Sequence, residues 1–461
     1  MRLTSWATLL LAGSTWLVNA RPIEDPRADY VVNAFKHAWS GYRQYAWGHD
    51  ELRPLTNGTS DSRNGWGASI FDGLDTMLIM GLEEEYQEAL EHVKNVDWFS
   101  TTTPSKTFET NIRYLGGLLA AYDLRPDPVL LEKAIELAQY VLLPAYDTPN
   151  GIPAAYVDVK RGKPTNDKSL ILAEFGSLQL EMVRLSQLTG DERYAQIANN
   201  VIYAIDNVDT PFPGVYPIIW DLDSFTPSSC NYYEYLLKTY LLTDGHEKQQ
   251  LDMWKKSVDT IQTYLRSETS GSMVFLAEID EDYKLLQTGE LVCFIPGNIL
   301  LGARLLGDSE LTKFASELMK SCYDTWAVTP TGLAPETWSW IDKAQNISSF
   351  PEIMQSAMKT TGFIPQDVQY DLRPETIESI FYFYRLTGDP KYQDMAWKIF
   401  ESIEKYCKTA SGYTRVNDIS SSESIQGLDF EESVMSLDEW VYSTEAHAFK
   451  LDKPIQVQAQ F

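Results

Sequence analysis

Basic side chains are scarce in this chain. It carries 38 Lys and Arg against 65 Asp and Glu in 461 residues, a formal charge of −27. Nucleic acids and anionic membranes are gripped by clustered Lys and Arg. No such cluster occurs, which argues against both as partners. Histidine is scarcer still. The five residues His37, His49, His92, His246 and His447 are scattered, with no His-Glu-x-x-His pattern, so the ligand spacing of a zinc hydrolase is absent. Four cysteines (Cys230, Cys293, Cys322 and Cys407) are too few for a disulfide-built scaffold, and their spacing leaves all three full pairings open. No segment after the N-terminus is apolar for long enough to span a bilayer. No Gly-, Ser- or Pro-rich linker divides the chain, and its end, Gln458-Ala459-Gln460-Phe461, carries no retention tetrapeptide.

What is present is a large apolar fraction, 44 %, enough for an extensive core. The 13 Trp, 26 Tyr and 18 Phe suit both core filling and stacking on sugar faces. Residues 1–20 read as a signal peptide: Arg2 is the basic start, Leu9-Leu10-Leu11 lies in an apolar stretch, and Val18-Asn19-Ala20 precedes the cut at Arg21. The mature chain, 21–461, is expected to be one domain in the secretory pathway, in the endoplasmic reticulum or Golgi lumen or secreted. The glycosylation sequons at Asn57 and Asn346 fit that route.

Apolar residues recur at helical spacing through most of the chain, as at Phe175, Leu178, Met182 and Leu185 or Ile377, Ile380, Phe381 and Tyr384. Two helix ends repeat: Leu188-Thr189-Gly190-Asp191 and Leu386-Thr387-Gly388-Asp389. Gly190 and Gly388 suit the left-handed residue that ends a helix, and Asp191 and Asp389 the cap that starts the next. Helical hairpins without a linker predict one closed array.

Six stretches then resemble, in order, one family of glycosidases. They are Gly65-Trp66-Gly67-Ala68 with Asp72-Gly73-Leu74-Asp75-Thr76; Phe108 to Gly117; Tyr232 to Lys238; Val292 to Gly297; Leu372 to Ser379; and Thr444-Glu445-Ala446-His447. Together they are similar to class I α-1,2-mannosidases, glycoside hydrolase family 47. The resemblance implies an all-α (α/α)7 barrel with short β-hairpin loops and a central pocket. It also implies a calcium ion, inversion of configuration, high-mannose N-glycans as substrate, and a Cys293–Cys322 disulfide.

Glycoside hydrolysis with inversion needs one carboxyl as acid and a second as base, separated by roughly 6.5–9.5 Å to admit water. The resemblance places the acid at Glu109, the base at Glu375 and a further pocket carboxylate at Glu336. Arg113, Arg373, Glu378 and Glu432 match sugar-binding positions, and Thr444 a calcium ligand. Taken on its own residues, Glu109 lies beside the apolar stripe Phe108, Ile112, Leu115 and Leu119, which would push its pKa up. Its spacing to Arg113 equally suits an i, i+4 ion pair.

The chain departs from the family at three places. Cys230-Asn231 stand where it has Asp-Ser, with Asp221 or Asp223 the nearest upstream replacements. Gly289-Glu290 stand where it has Asp-His. The apolar helix expected after Glu432-Ser433 is missing, so part of the last inner helix is expected to be lacking. A second reading follows: a glycan-binding protein of glycoprotein quality control that has kept the pocket without turnover.

Overall fold

The computed structural model describes residues 25–216, 218–225, 234–280, 283–423 and 440–451. Helices dominate and occur as hairpins. After α1 (Pro26–Tyr45) come α2 (Leu74–Met80) with α3 (Glu83–Asn95), α4 (Gly116–Leu124) with α5 (Pro128–Leu137), and α6 (Gln179–Thr189) with α7 (Arg193–Asp206). Then follow α8 (Glu234–Leu242) with α9 (Lys248–Thr260), α10 (Ile295–Leu306) with α11 (Ser309–Ala327), and α12 (Glu375–Thr387) with α13 (Lys391–Tyr406).

Local chemistry sets these boundaries. Asp25, Asp127 and Asp308 each accept a hydrogen bond from the first turn of the helix that follows, and Pro26 and Pro128 occupy first helical positions. Gly190 and Gly388 take φ of 72° and 67° and end α6 and α12. Asp191 and Asp389 then accept from the amides of Arg193 and Lys391, at 3.1 and 3.0 Å. The repeated hairpin of the sequence is thus a repeated hairpin of the fold.

Burial sorts the helices into two rings. In α4, α6 and α10 whole turns are buried on every side: residues 116–121, 179–186 and 295–303. In α7, α9 and α13 only one stripe is buried, as expected of helices with a solvent face. Each inner helix packs on its outer partner and on the next inner helix, in the order α2, α4, α6, α8, α10, α12. This is the (α/α)7 barrel. Among the described residues no helix follows Tyr406. The stretch 424–439, where the sequence lacks its expected apolar helix, lies outside them. The outer helices α1 and α13 meet: Arg27 of α1 reaches Asp394 of α13 at 2.9 Å, and Tyr30 meets Trp397 edge-on at 5.8 Å.

The strands form small antiparallel pieces of two or three. Two of these carry site residues. In one, 287–289 pairs with 337–339 and so sets Glu290 beside Glu336. The other, Trp440–Tyr442 with Ala448–Lys450, packs on the inner helices α8 and α4. Its turn holds Thr444-Glu445-Ala446-His447.

Candidate active site

Glu109 ends a short helical turn, and the chain then widens into a π-helix over Thr110–Leu115, all six residues buried. Such turns are rare and gather at functional sites. The widened turn brings Arg113 back on Glu109: its Nε donates to Oε2 at 2.8 Å, and Arg63 Nε donates to the same oxygen at 3.0 Å. Arg113 also reaches Glu445 at 2.9 Å and Asp72 at 3.2 Å, so one buried guanidinium ties together three segments distant in sequence.

The i, i+4 pair of the sequence is therefore formed. The raised pKa expected of Glu109 is not. Burial does push its carboxyl upward, but Arg113 and Arg63 outweigh it and hold the group down at about 2. The apolar stripe faces the core, and the carboxyl faces two arginines. Beneath, His447 donates through Nδ1 to Asp75 at 3.1 Å, with Asp72 3.6 Å from Nε2. Burial opposes charge on this imidazole, yet the two aspartates raise its pKa to about 10.

Across the pocket, Glu336 closes the loop before its strand. Its Oε1 accepts from the Asp371 amide at 2.9 Å and its Oε2 from Arg373 at 3.0 Å. Burial raises its pKa despite Arg373. Glu375 opens α12, one residue after Pro374. The turn leading to it is strained: Leu372 has φ of 59°, a conformation that side-chain-bearing residues rarely take. Ala446, in the Thr444 turn, has φ of 59° as well.

A third group lies between α8 and α12. Lys238, fully buried, pairs with Glu378 at 3.0 Å and with Glu234. Burial lifts Glu378 to about 7 in spite of that lysine. Thr444 donates its amide to Tyr235 Oη at 3.2 Å, and Tyr235 donates to Glu181 at 2.7 Å. Glu181, also accepting from Asn111 at 2.8 Å, is lifted by burial to about 7. Glu432, Cys230 and Asn231 lie outside the described residues. Asp221 and Asp223 are exposed and engaged locally, with Ser224 and Lys168.

A cavity of about 570 Å3 joins two of these groups. Asp72 and Glu445 border it on one side, Leu372, Arg373 and Pro374 on the other, and the apolar faces of α1 and α13 form its outer wall. Behind its two sides stand carboxylates of opposite tendency: Glu109, bonded to Arg113, is held ionised, and Glu336, bonded to Arg373, is pushed toward its acid form. Pairs of that kind are what acid–base chemistry on a neutral substrate requires.

A family model described as glycosyl hydrolase family 47 matches residues 34–451. The chain belongs to that family. It is accordingly a glycosidase. Over 453 residues it is 35 % identical to the mannosyl-oligosaccharide alpha-1,2-mannosidase of Coccidioides posadasii, covering 92 % of this chain and 86 % of that one. Over 464 residues it is 38 % identical to mannosyl-oligosaccharide 1,2-alpha-mannosidase MNS1 of Arabidopsis thaliana, covering 93 % and 80 %. The solved alpha-1,2-mannosidase from Trichoderma reesei superposes with a TM-score of 0.85 at 32 % identity, over 92 % of this chain and 99 % of that one.

Within this family-47 glycosidase, Cys293 and Cys322 form a disulfide that ties the 290–294 turn to α11. Cys407 is buried and free. Several site residues were not singled out from sequence. Asp72, Glu445 and His447 stood inside quoted motifs without a role. Arg63 had no signal at all, because its partner Glu109 lies 46 residues away.

Proposed function

We propose that this glycosidase releases terminal α-1,2-linked mannose from high-mannose N-glycans with inversion of configuration. The observation that supports the reading is that one cavity is bordered by Asp72 and Glu445, both tied by Arg113 to Glu109, and by Arg373 and Pro374, tied to Glu336 and leading into Glu375, in a chain whose curated relatives are named mannosyl-oligosaccharide 1,2-alpha-mannosidases.

Glu375 takes the proton of the attacking water, and Glu109 delivers a proton to the leaving oxygen. In the resting pocket Glu109 has no proton to give. Burial is the largest influence on its carboxyl, and a sugar that expels the remaining water strengthens that influence. Glu109 thus takes up its proton from water as the sugar binds. Glu336, oriented by Arg373 and the Asp371 amide, assists. Arg113, Arg373, Glu378 and Glu432 hold sugar hydroxyls.

A calcium ion suits the Thr444 end of the pocket. Among the described residues no three His, Cys, Asp or Glu side chains cluster as direct metal ligands, so the protein donors would be the oxygens of Thr444, completed by water. Glu181 and Glu378, buried carboxyls whose ionisation is opposed, would be relieved by a nearby dication. When bound, the ion would draw sugar hydroxyls to the floor by electrostatic attraction. Residues 1–20 as a signal peptide would deliver the chain to the secretory pathway, with glycans on Asn57 and Asn346, both exposed. No described helix is long and apolar enough to cross a membrane.

Mannose release from a high-mannose glycan, measured with calcium and with a chelator, tests the reading. Calcium-dependent release of α-1,2-linked mannose is expected. Chelator-sensitive binding without release would instead establish a glycan-binding protein.

A further inference from the structure

Glu290 has no role in the chemistry above, yet its side chain is one of the most completely enclosed acids in the molecule, with 1 % of the residue exposed. It opens the 290–294 turn at the junction of three elements. Its amide donates to the Glu336 carbonyl at 3.0 Å. Its Oε1 accepts from Trp326 Nε1 of α11 at 3.1 Å and from Thr376 Oγ1 of α12 at 2.5 Å. Its Oε2 is buried without a hydrogen-bond partner. No Lys, Arg or His among the described residues pairs with it.

A carboxylate in such a place would leave one charged oxygen with no donor, a costly arrangement. A carboxylic acid leaves only an unused O–H. The facing groups press the same way. Glu336 before its strand and Glu375 at the start of α12 both oppose a charge on Glu290, and burial opposes it most. Tyr370, also facing it, is itself pushed toward its neutral form by burial and by these acids. Arg373, the nearby cation, is engaged by Glu336 and Glu375. A negative charge on Glu290 would compete with the ionisation that Glu375 needs as a base.

We propose that Glu290 is a positioning residue for Glu375: a neutral carboxylic acid, clamped by Trp326 and Thr376, that fixes the first turn of α12 from the side of Glu336. Thr376 is the residue after Glu375, so the Glu290 contact sets where the base stands. One turn on, Ser379 makes a parallel contact, donating to the Cys293 carbonyl at 2.5 Å and accepting from the Gly297 amide at 2.9 Å. The whole 290–297 turn is thus a brace for α12, and Glu290 is its end nearest the chemistry.

The inference rests on the proposed mannosidase reading for its kinetic arm only. The full chain is compared with Glu290→Gln and Glu290→Ala. Infrared difference spectra at neutral pH report the carbonyl band of un-ionised carboxylic acids; wild type minus Glu290→Gln is expected to show one such band. Glu290→Gln, a neutral isostere, is expected to keep kcat within about twofold and leave the acid limb of the kcat/KM profile in place. Glu290→Ala is expected to lower kcat by about tenfold or more with little change in KM, as misplacement of a reacting group does. An ionised-carboxylate band in place of the acid band, or a displaced acid limb in Glu290→Gln, overturns the neutral state. Wild-type kcat in Glu290→Ala overturns the positioning. Should Glu290→Ala fail to fold, Glu290→Gln and the infrared band still decide. Should wild type release no mannose, the earlier reading fails, and the infrared arm tests Glu290 independently.

Discussion

Replacing Glu109 by Gln should weaken the fold in a strongly pH-dependent way. In the native protein two arginines hold the carboxyl at about 2, against an ordinary 4.5. At about 1.36 kcal/mol per pH unit, that difference corresponds to about 3 kcal/mol of stability from this one group. Its side chain is 19 % exposed, so solvent screening takes little from the figure. The sign follows from the native value being the lower one. The contribution is complete above about pH 4.5 and disappears as the pH falls toward 2. Gln keeps the shape and a hydrogen-bond acceptor but not the charge, and leaves Arg63 and Arg113 under-compensated. Urea unfolding followed by tryptophan fluorescence should place the variant about 3 kcal/mol below wild type near pH 6. The gap should narrow by about 2 kcal/mol near pH 3. A constant gap across that window would refute the claim that Glu109 is ionised in the resting pocket. It would also remove the need for Glu109 to gain a proton from water as the sugar binds.

Other expectations concern the barrel itself. A Cβ on Gly302 of α10 would lie 2.0 Å from the ring of the buried Trp254; Gly302→Ala should cost about 1–3 kcal/mol or more by overpacking, read as a lowered Tm. The Cys293–Cys322 disulfide closes a separation of 29 residues, so Cys322→Ser should lose about 3–4 kcal/mol of stability in urea. Burial opposes a charge on His447, but Asp75 and Asp72 raise its pKa to about 10. Because the native value is the higher one, its contribution is present below the ordinary 6.5 and is lost as the pH rises through about 10. Wild type should therefore lose stability between neutral pH and about pH 10 more steeply than His447→Gln.

The architecture was largely legible because its signals are local. Gly190-Asp191 and Gly388-Asp389 mark hairpins by backbone conformation and capping, which need only neighbouring residues, and the motif order carried the family and the disulfide. The electrostatics of the site were less legible. The environment of Glu109 was misjudged because Phe108, Ile112, Leu115 and Leu119 lie near it in sequence. The π-turn instead places the carboxyl toward Arg113, and the fold brings Arg63 from 46 residues away. Glu290 was noticed only as part of Gly289-Glu290, standing where the family has Asp-His. Its burial between Trp326 and Thr376, 36 and 86 residues distant, is a property of the closed ring that no window of sequence contains.

Those long-range contacts gather where α12 meets α10. Pro374 and Ile377, at the start of α12, also border the cavity. Three contacts hold the turn carrying Arg373 and Glu375 from the α10 side: Glu290 to Thr376, Ser379 to the Cys293 carbonyl, and the disulfide that anchors Cys293 to α11. Opposite, Asp72 and Glu445 border the same cavity, and both are held by Arg113. Each side of the cavity is thus tied to neighbouring elements through buried polar contacts. In a low-dielectric interior such contacts are strong when satisfied and costly when broken. The placement of Glu109 and Glu375 therefore depends on buried polar ties that stay intact together.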